Sequence, residues 1–138
     1  MKVRLLNCLK AGLLAGLGAA LINGILFFVF QGAGVITDRV RLPNNEPMTL
    51  VPIIVSSLLP ALLGSVVYYL LARFTRNGYR YFTILAVILL ILSFANPFFG
   101  IPNVTVPYAI ALNVMHIVVV AVLLYALRKF AVAAPSTL

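Results

Sequence analysis

The sequence predicts an all-α protein, a four-helix transmembrane bundle in one domain. Three observations point there. Four apolar runs fill most of the 138 residues: Ala11 to Phe30, Val51 to Ala72, Tyr81 to Phe99 and Val106 to Leu127. Each is close to the roughly 20 residues that a helix needs to cross a bilayer core. Charged residues make up only 9% of the chain, and mean hydropathy is +1.17; a soluble domain carries about a quarter charged residues.

The charges themselves set an expected orientation. Lys2, Arg4 and Lys10 precede the first run, Arg73, Arg76 and Arg80 separate the second and third, and Arg128 and Lys129 follow the fourth. With four spans these groups all fall on one side, opposite Arg39 and Arg41. The positive-inside rule then puts both termini in the cytoplasm. The net charge of +8 reads as a topology signal with attraction to anionic lipid, not as a nucleic-acid surface, because no basic face lies outside the membrane flanks.

In the first span, Gly12, Gly16, Ala20 and Gly24 recur every fourth residue, widened by Ala15 and Ala19. At about 100° per residue they form a slowly turning small-residue stripe, the kind of surface that lets another helix approach closely. That helix is expected inside the bundle, the alternative being a second copy or another membrane protein. The run is too long for a signal-peptide core, and Gln31-Gly32-Ala33-Gly34 is a poor cleavage site, so the helix is expected to be retained. Cys8 is the only cysteine, which leaves no intrachain disulfide and an inert juxtamembrane thiol as the expectation.

The loop from Gln31 to Leu50 holds both acids, Asp38 and Glu46, with Pro43, Asn44, Asn45 and Pro47, and reads as a solvated connector or a lid. In the second span, Ser57, Ala61 and Gly64, continued by Tyr68, form a small face. Pro60, lacking an N–H, is expected to kink the helix and free the Ser56 carbonyl. The Arg73–Arg80 connection with Asn77-Gly78 is short enough to fold spans two and three into an antiparallel hairpin. The third span is read as continuous to Phe99. Asn103-Val104-Thr105 in the last loop matches a glycosylation sequon close to the bilayer.

Polar side chains mark the candidate site. Asn23, Ser57, Ser93, Asn96, Asn113 and His116 all fall in the outer halves or centres of their spans, while the inner halves are aliphatic and aromatic. Asn113 and His116, three apart, share a helix face. Such residues either bond across helices and fix register, at about 0.6 kcal/mol each, or line a ligand pocket open to the outside. Catalytic chemistry is poorly supplied. The acids lie in a loop, His116 has no acidic partner in the spans, and one histidine is far short of a zinc site. The expectation is a non-enzyme with no metal and no cofactor.

The glycine/alanine span containing Asn23, the arginine-rich hairpin, Asn96-Pro97 and Asn113-Val114-Met115-His116 together resemble a family of small, uncharacterised bacterial four-span membrane proteins. That resemblance covers nearly the whole chain and implies a bacterial inner-membrane location, with no activity to carry over. Small multidrug transporters are similar in length and span number, but their membrane-embedded glutamate has no counterpart in the first span. The function expected is binding or passage of a small neutral or lipid-like molecule through the outer polar pocket. The alternative is an accessory subunit that docks through the small-residue stripe.

Overall fold

The computed structural model describes residues 3–131, so Lys2 lies outside the described residues. Helix α1 spans Leu5–Gly32 and α2 Leu50–Phe74; the third span is built from α3, Gly78–Ser93, and the short α4, Asn96–Gly100. Helix α5 spans Val106–Ala126 and continues into a π-helical turn, Leu127–Ala131. Four segments, Leu5–Gly32, Leu50–Phe74, Gly78–Gly100 and Val106–Ala131, are long and apolar enough to cross a membrane. No strand occurs among the described residues, only an isolated Arg41–Pro47 bridge. Helix α1 starts six residues before its apolar run, because Leu5, Leu6 and Leu9 carry the helix past Lys10, which is exposed.

The close pair in the bundle is α1 with α2. Cys8, Ala11, Gly12, Ala15, Gly16, Ala19, Asn23 and Phe27 are the buried residues of α1, and Ile53, Ser57, Ala61, Ser65 and Tyr68 those of α2. The glycines are needed for the approach. A Cβ on Gly12 would lie 2.6 Å from the Ser65 Cβ and 2.9 Å from the Ala61 carbonyl oxygen; one on Gly16 would lie 2.9 Å from Leu58. The stripe is therefore consumed inside the bundle along this stretch, where dispersion between closely approaching backbones replaces the hydrophobic effect that lipid removes. Gly24 sits at the looser end, where a Cβ would meet only Leu50, at 3.8 Å, and Ala20 is half-buried. On α2 the buried face steps through Ser57, Ala61 and Ser65. Gly64, expected on that face with Ser57, Ala61 and Tyr68, instead meets Leu123 of α5 and Phe82 of α3 at its edge.

Two clusters close the ends. At the basic end, Cys8, Tyr68, Phe82, Leu123 and Leu127 pack together, which buries the lone thiol completely. Arg73 and Lys129 there bond the hydroxyls of Tyr69 and Tyr125 one turn back, at 2.7 and 3.1 Å, the aromatic-and-basic arrangement of a membrane interface. At the opposite end, Phe27, Ile53, Tyr108, Leu112 and Met115 surround Ile36 and Val40 of the long loop. That loop, most of whose residues are exposed, is also a cover seated by two buried apolar side chains. Its tip is a tight hairpin. Asn45, at φ 64°, donates its N–H to Leu42, and the Leu42 N–H returns to the Glu46 carbonyl at 2.8 Å. Asparagine tolerates the left-handed conformation that such a three-residue turn requires.

The third span is the least covered, with 11% of its most apolar stretch buried against 39% for the fourth. It also breaks, at Phe94–Ala95. Pro97 has no N–H for the helix ladder, and a proline is accepted only in the first turn of a helix, so α3 stops and α4 restarts with Pro97 in its first turn. By contrast α2 runs unbroken through Pro60.

Candidate functional site

A cavity of about 320 Å³ lies beneath the long loop, between α1, α2, α4 and α5. Asn23, Ser56, Asn96 and His116 supply its polar groups. Leu42, Pro43 and Met48 of the loop, Ile53 of α2 and Leu112 and Met115 of α5 supply its apolar wall. No charged residue lines it.

Asn23 is 2% exposed, and its geometry fixes which way its amide faces. The Ser57 hydroxyl donates to the Ile53 carbonyl at 2.8 Å, so its lone pairs face Asn23. The Asn23 amide group donates to that hydroxyl at 3.1 Å and to the Met115 carbonyl at 3.2 Å. Both neighbours are acceptors, both amide hydrogens are used, and the amide oxygen is left over. This Oδ1 is buried without a partner. One side chain thereby ties α1, α2 and α5 together and holds a spare acceptor beside the cavity.

His116 lies one turn of α5 below Leu112, with Nδ1 2.7 Å from the Leu112 carbonyl oxygen. A ring nitrogen is held that close to a carbonyl only as a donor, so in the neutral ring Nε2 presents a lone pair. Beside the cavity stand two acceptors, Asn23 Oδ1, which is itself buried, and, in the neutral ring, His116 Nε2, with the Ser56 hydroxyl and the Asn96 amide nearer the surface. Gly100 makes room for Asn96: a Cβ there would lie 2.9 Å from the Asn96 Oδ1.

The other expected site residues divide. Ser57 does not line the cavity and serves Asn23 instead. Ser93 donates to the Leu90 carbonyl at 2.7 Å and lines a neighbouring groove of about 460 Å³ between α2, α3 and α5. Asn113 lines neither space. Its amide donates to the Phe94 carbonyl at 3.2 Å, an acceptor left without its usual partner because the Phe98 N–H bonds Ala95 at the break. Asn113 thus clamps the broken span. Asn113→Leu should strand that carbonyl and cost about 1 kcal/mol in the bilayer, read as faster amide hydrogen exchange confined to Phe94–Gly100.

Tyr108 was not marked by the sequence reading. It is fully buried at the loop end with an unpartnered hydroxyl. Its own N–H bonds Thr105, which caps α5 at 3.4 Å. The sequon threonine thus has a structural use, and Asn103 beside it holds a left-handed turn at φ 54°.

Fold and site together define a small four-helix membrane protein with an uncharged polar cavity under a seated loop at one end. Residues 4–133 match the model of a family described as a family of unknown function (DUF6069), and the chain belongs to that family. Neither a curated protein nor a solved structure matches it.

Proposed function

We propose that this protein binds, and passes, a small neutral or lipid-like molecule through the cavity at the loop end, without catalysing a reaction. The observation that carries this reading is the buried, unpartnered Asn23 oxygen at a cavity with no charged lining. A buried polar atom without a partner is rare and costly, on the order of 1–3 kcal/mol, and a ligand N–H or O–H supplies the missing bond. The cavity volume lies at the lower end of the range for small-molecule sites. The positive-inside rule puts both termini in the cytoplasm and so makes the loop end the outer face; a bacterial inner membrane is what the resemblance in sequence implies.

The test is the amount of small molecule that copurifies with the protein in mild detergent. His116→Leu removes one acceptor from the cavity and should lower retention by roughly tenfold, the weight of about one strong hydrogen bond, with little change in melting temperature. Equal retention by the variant and the native chain would overturn the reading.

A further inference from the structure

A second, apolar space adjoins the cavity at His116. Ser56, His116 and Val119 line both the cavity and the groove between α2, α3 and α5, so the two spaces meet along one wall. Their chemistries differ sharply. The cavity holds the polar acceptors, whereas the groove is lined by Leu63, Val67, Leu85, Leu89 and their apolar neighbours, with Ser93 at its near end. The Ser93 and Ser56 hydroxyls are both turned back onto their own helices, at 2.7 and 3.1 Å. Gly64 and Ala86, small residues on facing helices, help to open the groove.

The dimensions match a lipid chain. Along α2 the groove extends from Ser56 to Val67, about 16 Å at 1.5 Å per residue. That is about half of the ~30 Å hydrocarbon core. It lies wholly within the apolar second span, alongside the sparsely covered third span.

We infer that the ligand is a single-chain neutral amphiphile: its head, bearing hydroxyl or amide hydrogens, bonds Asn23 Oδ1 and His116 Nε2, and its chain lies in the α2–α3–α5 groove. This rests on the cavity reading above and adds the class of molecule. A carboxylate or phosphate head would meet lone pairs with no cation among the cavity's own lining residues, Arg39 and Arg41 lying in a separate cleft beyond Leu42 and Pro43. An ammonium head would find no counter-charge.

The probe is a monoacylglycerol carrying a diazirine halfway along its chain, in phosphatidylcholine nanodiscs containing the full-length protein. After illumination, peptide mass spectrometry locates the label. The expected result is labelling concentrated on Leu63, Val67, Leu85 and Leu89, competed by unlabelled monooleoylglycerol but not by oleate. Asn23→Leu should reduce it roughly tenfold, the weight of a lost head-group bond. Label on Met48 or Met115 of the cavity, without the groove, would overturn the two-part ligand and leave the cavity reading standing. Label spread as heavily over exposed α1 residues away from the groove, such as Leu21 and Ile25, as over Leu63 and Leu89, and unchanged by Asn23→Leu, would overturn both.

Discussion

Gly12→Leu should unfold the α1–α2 pair, a large stability effect for a single substitution. The obstacle is fixed. The new Cβ alone would fall 2.6 Å from the Ser65 Cβ and 2.9 Å from the Ala61 carbonyl oxygen. A flexible side-chain tip can swing away from such a clash, but a backbone carbonyl moves only with its helix. The helices must separate, which exposes Ala11 and Ala15 and pulls Asn23 from Ser57. Overpacking costs about 1–3 kcal/mol and occasionally more, and this site belongs at the upper end. Thermal unfolding in detergent should show a large drop in melting temperature for Gly12→Leu. Gly32→Leu should melt like the native protein, since a Cβ there meets nothing within 4 Å.

Asn23→Leu should have the largest effect on ligand retention and a small one on stability. Asparagine and leucine branch alike at Cγ, so the shape is nearly kept. Neither partner is stranded by the change. Ser57 still donates to Ile53, and the Met115 carbonyl keeps its place in the α5 ladder. Interhelical hydrogen bonds in bilayers average about 0.6 kcal/mol, so the loss of the pair costs roughly 1 kcal/mol. The unpartnered oxygen, however, disappears entirely. Bound small molecule should fall by at least about tenfold while the melting temperature shifts by only a few degrees. If stability collapsed and the residual folded fraction still held its ligand, Asn23 would be a purely structural tie.

The spans were legible because membrane crossing depends on length and apolarity, both written locally in the chain. The Gly12–Gly16 stripe was legible for a similar reason, since small residues at every fourth position mark a close approach wherever the partner lies. Other features depended on long-range pairing. Asn113 and His116 share a helix face, yet Asn113 meets the carbonyl released at the Phe94 break and His116 meets the cavity. Only the position of the third span decides between those fates. The break is signalled by Pro97, which a helix accepts only in its first turn, whereas Pro60 lies inside α2 without ending it. The loop was the most opaque element. Ile36, Val40, Leu42 and Met48 are apolar residues among charges and prolines. Their role as anchors and cavity wall emerges only once α1, α2 and α5 converge beneath them.

Asn23 shares the buried face of α1 with the small residues, but its spare acceptor is not readable from the sequence. An asparagine has enough donors and acceptors to satisfy itself in many ways. The unpartnered oxygen follows from Ser57 and the Met115 carbonyl both being acceptors, a relation among residues 34 and 92 positions away in the chain.

The central claim is that the cavity beside Asn23 is built to hold a molecule. Native mass spectrometry of the gently extracted protein tests it most directly. The account predicts a discrete small-molecule adduct on the native chain, neutral in mass and hydroxyl- or amide-bearing on fragmentation. A uniformly ligand-free chain, from membranes extracted without delipidation, would contradict it.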